Sequence, residues 1–572
     1  MTSTWARIAH ALAEIEPVDR PSWQQRFFQI LENFQFLPGG RIQAGAGTGR
    51  DVTLFNCFVM GTIEDSLPGI FHALQEGAVT MQHGGGVGYD FSTLRPNGAR
   101  ARTTGGIASG PVSFMNVWDA MCATIQSTGA RRGAMMATLR CDHPDIAAFI
   151  DAKRDPGRLR QFNLSVLVTD AFMQAIEQNE SWPLVFPADR LDGTSETIVR
   201  DWPGEASPVP CQIVRRVAAR ELWDRLLRAS HAYSEPGVLF IDRINRLNNL
   251  WYCERISATN PCGEVPLPPY GACDLGSINL TRLIQHKFTA QACLDTDQLE
   301  RIAATAVRLL DNAIDASHFP LPAQREAVHR TRRVGLGITG LADALVMLGL
   351  HYDSNAARNF AGETMRAICH AAYRRSIAIS RDKGSFPDFE RDRYLAAPFI
   401  QALPADIRDG IARHGIRNSH LLAIAPTGSI SLLAGNISSG IEPVFAPDQH
   451  RTVLDANGNP APFVLTDHAV RLWRQSHDRT DGVPDTMVTA MDLPIGAHIA
   501  MQATLQKYVD NAISKTIAIP ADTSFEAFAP LYRLAYDSGL KGCTTYRPSM
   551  QRGAVLAPAP GESAGSCVGG CG

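Results

Sequence analysis

The spacing of apolar and polar positions changes repeatedly along the chain, and each change predicts an element. WQQRFFQILENF places its apolar residues on one face of a helix, and the glycines of FLPGGRIQAGAGTGR end it. TLFNCFVMG is a short apolar run of strand length with Asn56 and Cys57 in its middle. Glu64-Asp65-Ser66-Leu67-Pro68 reads as a helix start, with Asp65 or Ser66 as the cap. HPDI opens a helical stretch through Lys153, FNLSVLVTD reads as a buried strand, and residues 175–215 as a polar, Pro-rich surface segment. ELWDRLLRASHAY is an amphipathic helix, and GVLFIDRIN is strand-like. Residues 295–384 are mainly helical, and GLGITGLADALVMLGL within them reads as a core helix. HLLAIAPTGSISLLAG is an apolar strand entering a hydroxyl-rich turn, Pro426 to Ser431. Strands alternating with helices over most of the chain place it in the α/β class.

Composition narrows the function classes. With 45% apolar and 19% charged residues in 572, the chain reads as one large α/β unit or several domains. A net charge of −3 gives no overall basic footprint for nucleic acid or an anionic membrane. The first residues lack a signal-peptide apolar core, and no run approaches the ~18–20 apolar residues of a membrane helix. Twelve cysteines, most of them scattered singly, suit reduced thiols, so the cytoplasm is the expected compartment.

Chemistry concentrates between Ser257 and Leu280, SATNPCGEVPLPPYGACDLGSINL. Asn260, Cys262 and Glu264 stand at alternate positions, which in an extended chain puts an amide, a thiol and a carboxylate on one face. Cys273 follows eleven residues later, beyond Pro266, Pro268 and Pro269, which oppose a helix between the thiols. A buried structural cysteine in a Pro-rich loop is the alternative these residues leave open. HGGGVGYDFSTLRP is a loop that lets backbone approach a ligand, without the spacing of a dinucleotide fingerprint. Arg131 and Arg132 suit a phosphate or a solvated surface alike. The Pro426–Ser431 turn offers N–H and O–H donors suited to phosphate, and without a lysine it is not a Walker A loop. From Pro548 onward the composition shifts to Ala, Pro, Gly and Ser and ends in SCVGGCG, a flexible tail carrying Cys567 and Cys571. Two thiols on a tether suit dithiol–disulfide exchange; half a zinc site and incidental cysteines are the competing readings.

NPCGE, Cys273 in ACDLGSINL, Asn56-Cys57, PTGSIS and the paired C-terminal cysteines together resemble ribonucleotide reductase, and more narrowly its adenosylcobalamin-dependent catalytic chains. PGGRIQAGAGT, GGGVGYDFS, RRGAMM, GIEPVF and SKT match the same family. The resemblance implies a ten-stranded α/β barrel, two five-stranded parallel halves set antiparallel, with the Cys262 loop as a central finger. It divides the chain into an N-terminal helical segment (1–50) without an ATP-cone, the barrel (51–547) and a flexible redox tail (548–572).

By the same resemblance Cys262 carries a thiyl radical, Glu264 is the general base, and Asn260 holds the ribose hydroxyls. Cys57 and Cys273 are the reducing pair, re-reduced by Cys567 and Cys571 and then by thioredoxin or glutaredoxin. Asn56, Pro426, Thr427, Gly428, Ser429 and Ile430 bind the ribonucleotide, expected to be a diphosphate. Asp65 and Ser66 bind a deoxynucleotide or ATP specificity effector, with RRGAMM as the relay, in a homodimer. No metal ligand set is expected. KGCTTYRPS has the single tyrosine Tyr546 where the metal-subunit-dependent chains carry two adjacent ones, which favours cobalamin. A large subunit of that other class and an idle nucleotide sensor are the alternatives. The chain reads SKTIAIP with Ala518 where the family usually has asparagine.

Overall fold

The computed structural model describes residues 1–100, 105–125, 133–155, 157–192, 196–454, 460–477, 482–548 and 556–558. Apolar runs buried on both faces make short strands, the pattern of a parallel sheet covered by helices. Five lie side by side and parallel: β1 (Cys57–Val59), β2 (Gly86–Asp90), β3 (Met135–Arg140), β4 (Phe162–Val168) and β5 (Gly237–Phe240). At one edge β6 (Ala272–Asn279) joins β1 antiparallel and takes β7 (Val334–Thr339) in parallel on its other side. At the other edge β9 (Gly542–Tyr546) joins β5 antiparallel and is parallel to β8 (Thr516–Ala518). With Phe36–Pro38, which pairs antiparallel with the end of β6, these strands form one ten-stranded sheet.

Hydrogen bonding continues past β7. The Leu336 amide donates to Leu421 O (2.9 Å) and the Ala423 amide to Leu336 O (3.2 Å). The Ile424 amide donates to Ala512 O (3.2 Å) and the Ser514 amide to Ile424 O (2.9 Å). The segment 512–514 then leads into β8.

Helices cover the sheet. The end of the Glu64–Pro68 stretch is a helix start: α1 (Leu67–Gln82) is capped by Ser66, whose hydroxyl accepts from the Gly69 amide. The helical pattern at 295–384 gives α2 (Thr296–Ala316) and α3 (Asn355–Lys383), which pack together in the core. The N-terminal helices Thr2–Ala13 and Arg20–Leu31 are fastened to α2 through the buried Glu16 between them. Its carboxylate accepts from Arg308 Nε (2.8 Å), Arg308 Nη2 (2.6 Å) and Asn312 Nδ2 (2.7 Å).

Two expectations from the sequence need correction. GLGITGLADALVMLGL is not one core helix: its first part is strand β7 and only Leu341–Met347 is helical. The reason is crowding, since a Cβ on Gly337 would stand 2.4 Å from Ala423 O, so glycines here let two strands come together. Residues 175–215 hold three antiparallel strands, Ser181–Pro187, Thr197–Arg200 and Val209–Ala218, around their own core of Val185, Phe186, Trp202 and Cys211.

After α4 (Gly428–Leu433) the chain forms a hairpin of strands Asp448–Leu454 and Pro460–Thr466, then α5 (His468–Ser476). The strand Leu556–Pro558 adds to the free edge of Asp448–Leu454. Among the described residues no helix is long and apolar enough to cross a membrane.

Candidate active site

Asn260, Cys262 and Glu264 do come together, by a turn and not by the extended alternation expected. Ala258–Thr259 pairs antiparallel with Pro266–Leu267, and the intervening residues form the tip of a hairpin. The Gly263 amide donates to Asn260 O (3.1 Å), the Val265 amide to Asn260 Oδ1 (3.0 Å), and Gly263 takes a positive φ of 84°. Pro261 and Gly263 dictate this, the one opposing helix and the other permitting the left-handed backbone a tight turn needs.

The turn is fastened from several sides. Asn163 Nδ2 donates to Pro261 O (2.8 Å), Thr138 Oγ1 to Ser257 O (2.9 Å), and the Ala512 amide to Glu264 O (2.9 Å). The glycine-rich stretch read as a loop is in fact strand β2 from Gly86 to Asp90, and its glycines admit the turn: a Cβ on Gly86 would lie 3.2 Å from the Pro261 ring, and one on Gly88 1.9 Å from Thr259 O.

Cys57 and Cys273 are directly opposed partners in the antiparallel pairing of β1 with β6. Residues so opposed have Cα atoms ~4.5–5.5 Å apart, within the ~4.4–6.8 Å over which a disulfide closes with little backbone movement. The Cys57 thiol also belongs to the turn's polar network, accepting from Asn260 Nδ2 (3.2 Å) and facing Glu264 Oε1 (3.7 Å). Burial pushes the Cys273 thiol well up, with Asp274 and Cys57 adding to it. It therefore stays protonated.

Asn260, Cys262, Glu264 and Cys57, but not Cys273, line one cavity of about 900 Å³, together with Asn56, Gly84 to Gly86, Ser277 and Pro426 to Ile430. Asn56 Oδ1 is buried in its wall without a hydrogen-bond partner. The Pro426–Ser431 turn is the entry to α4, with Thr427 at a positive φ of 52°. Its hydroxyl is held by Thr339 Oγ1 (2.9 Å) and Ser431 Oγ (2.9 Å) and accepts from the Gly440 amide (2.8 Å). Arg41 lines the same cavity and was not singled out from the sequence; its signal was an arginine directly after the paired glycines of PGGR.

A second cavity of about 1190 Å³ shares only Pro261, Cys262 and Pro426 with the first, so Cys262 stands where the two meet. Its walls include Val238, Leu239, Ser514, Lys515, Thr544 and Tyr546. Gly263 belongs to this wall, and a Cβ built on it would meet nothing within 4 Å.

Asp65 and Ser66 lie apart from both cavities. Asp65 lines a cleft with Arg95, Arg190 and Glu205, where Arg95 Nε donates to its carboxylate (2.9 Å). Burial raises the Asp65 carboxyl above its ordinary range, against the pull of Arg95. The Ser66 hydroxyl is engaged as a helix cap. Arg131, Arg132, Cys567 and Cys571 lie outside the described residues.

Comparison with known proteins gives consistent matches. The family described as ribonucleotide reductase, barrel domain, matches residues 55–546. A protein of Mycobacterium tuberculosis named vitamin B12-dependent ribonucleoside-diphosphate reductase is 38% identical over 98% of this chain and 78% of its own length. A Thermoplasma acidophilum protein of the same name is 34% identical over 94% of this chain and 67% of its own. The ribonucleoside-diphosphate reductase subunit alpha of Chlamydia pneumoniae is 27% identical over 77% of this chain and 45% of its own.

Proposed function

The chain belongs to the ribonucleotide reductase family, and we propose that it reduces ribonucleoside diphosphates to 2′-deoxyribonucleotides with adenosylcobalamin as its radical source. One observation carries the reading: an opposed thiol pair lies beside a turn that presents a third thiol, an amide and a carboxylate to one cavity. The architecture is the family's closed barrel, two five-stranded parallel halves joined antiparallel. The bonds running from β7 through 421–424 to 512–514 support that closure.

In this reading the first cavity holds the nucleotide. The first turn of α4, from Pro426 to Ile430, takes the phosphates, while Asn56 and Asn260 hold the sugar. Cys262 removes the hydrogen atom from ribose C3′, and Glu264 accepts the proton of the 3′-hydroxyl. The 2′-hydroxyl leaves as water on a proton from one thiol of the Cys57–Cys273 pair, the hydrogen of the other thiol goes to C2′, and the pair, having supplied two electrons, becomes a disulfide as Glu264 returns its proton to the 3′-oxygen. The C3′ hydrogen then returns from Cys262. Cys567 and Cys571 reduce the disulfide and pass the oxidation to thioredoxin or glutaredoxin. Asp65 and Ser66 belong to the specificity-effector site of a homodimer, with the Arg131–Arg132 loop as relay.

The second cavity fits the cofactor on chemical grounds. It reaches Cys262 from the side that Asn260, Glu264 and Cys57 do not line, and the bare Gly263 leaves that approach open. Ser514, Lys515, Thr544 and the apolar Val238 and Leu239 would hold the group. When bound, adenosylcobalamin supplies an organic radical from its weak cobalt–carbon bond.

The test is Cys262→Ser. The variant is expected to bind CDP as the parent does and to form no dCDP. Turnover by it would overturn the assignment.

A further inference from the structure

The hairpin that follows α4 has a use that the catalytic reading leaves unassigned. Two-stranded hairpins are marginal by themselves, and an open strand edge is a template for another strand. Here the edge is taken by the chain's own later segment, with Gln449 opposite Pro558, His450 opposite Ala557 and Arg451 opposite Leu556, antiparallel. Pro558 lacks an amide hydrogen and sits on the outermost strand, the place in a sheet where that is tolerated.

The hairpin is mounted on the wall of the nucleotide cavity. Asn436, three residues beyond α4, donates from Nδ2 to Thr466 O (3.1 Å) at the hairpin's end. Asp448 at its start pairs with Arg474 of α5 (2.8 Å) and accepts from Thr466 Oγ1 (2.6 Å). Buried Asp343 takes the Ser438 amide (2.5 Å) on one oxygen and the Ala469 amide (2.8 Å) on the other, joining the segment after α4 to the start of α5. Ser438 O in turn accepts from Thr339 Oγ1 (3.1 Å), the hydroxyl that holds Thr427. A strand docked on this hairpin is therefore held in fixed relation to the Pro426–Ile430 turn.

We propose that the edge strand Asp448–Leu454 is a docking strip for the chain's own segment 556–558, and that docking shortens the tether of the Cys567–Cys571 dithiol. The strip itself is independent of any catalytic assignment. Its consequence rests on the relay role given above to those two cysteines.

Chain geometry sets the size of the effect. Cys567 lies 21 positions after Tyr546, the end of β9, and such a length spans at most ~75 Å. Cys567 lies only 9 positions after Pro558, a span of at most ~32 Å. Backbone pairing of this kind is strand addition, in which main-chain hydrogen bonds give affinity. For a tether long enough to reach its target, effective concentration falls with about the −3/2 power of length, so undocking lowers it about three- to fourfold.

The experiment compares the full chain with Ala557→Pro, which cannot complete the pairing, and Ala557→Val, which can. Amide hydrogen exchange is read over residues 449–453, and turnover is driven by thioredoxin. The expected result is slow exchange at alternate amides of this strand in the parent and Ala557→Val, lost in Ala557→Pro. Thioredoxin-driven turnover of Ala557→Pro falls about three- to fourfold, while the first turnover of pre-reduced enzyme is unchanged. Unchanged exchange in Ala557→Pro would overturn the docking, and so would protection that varies with protein concentration, which would assign the strip to a second copy. Lost protection with full thioredoxin-driven turnover would overturn the tether effect, provided Cys567→Ser abolishes that turnover. If Cys567→Ser keeps it, the relay reading fails and the exchange result stands by itself.

Discussion

Two thiols more than 200 positions apart in the chain become opposed partners because β1 and β6 pair antiparallel in one register. A slip by one residue would turn one of the thiols to the other face of the sheet. The register thus does the work of a preformed disulfide site, and it predicts a product. After one anaerobic turnover without external reductant, peptide mapping should find Cys57 joined to Cys273. A disulfide between Cys262 and either of them would contradict the assignment. At this scale the sequence was legible in its residue types and not in their geometry. NPCGE named three groups that the structure brings to one cavity, yet their convergence comes from a turn closed by the Asn260 side chain, whose strand partner Pro266–Leu267 no local pattern announces. A thiol in a short apolar run is ordinary core, so the residues alone left Cys57 open between a central site and core filling, and the family resemblance favoured the first.

The finger turn is only as well placed as the elements that press on it. Gly88 of β2 leaves no room for a side chain against Thr259 O, so Gly88→Ala must displace the turn or the strand. Misplacing reacting groups by an ångström costs on the order of 100-fold in rate. Gly88→Ala is accordingly predicted to lower dCDP formation about 100-fold while leaving the cooperative unfolding transition in place. Parent-like turnover would show that the turn does not depend on this contact.

A second element-scale prediction concerns the N-terminal helices. Burial alone would raise the Glu16 carboxyl, but Arg308, Asn312 and Lys383 hold it below its ordinary value. A carboxylate lowered in this way contributes stability above the unfolded carboxylate range, and that contribution is lost as pH falls through the folded value. Breaking a buried pair of this kind costs about 3 kcal/mol. Urea unfolding should find Glu16→Gln less stable by about that amount at pH 7, with the gap narrowing only as pH falls below the ordinary glutamate value of ~4.3. A gap independent of pH would deny Glu16 its ionised role. The helices themselves were legible from period 3.6, whereas GLGITGLADALVMLGL was not. Its strand half is fixed by the neighbours at Leu275 and Ala423, contacts between segments far apart in the chain.

For the whole molecule, the alternation of strands and helices gave the α/β class, and the family match over residues 55–546 agrees with it. What the pattern could not give is the meeting of two cavities at Cys262, which depends on residues of β1 to β6, β8 and β9 converging on one turn. In the proposed function, substrate occupies one side of the thiol and the radical source the other. The direct test is anaerobic incubation of the purified chain with CDP, a dithiol and an effector nucleotide, with and without adenosylcobalamin and with no second protein present. The account predicts dCDP only when adenosylcobalamin is present. Formation of dCDP only after a separate metal-radical protein is added, or no deoxynucleotide from either CDP or CTP, would contradict it.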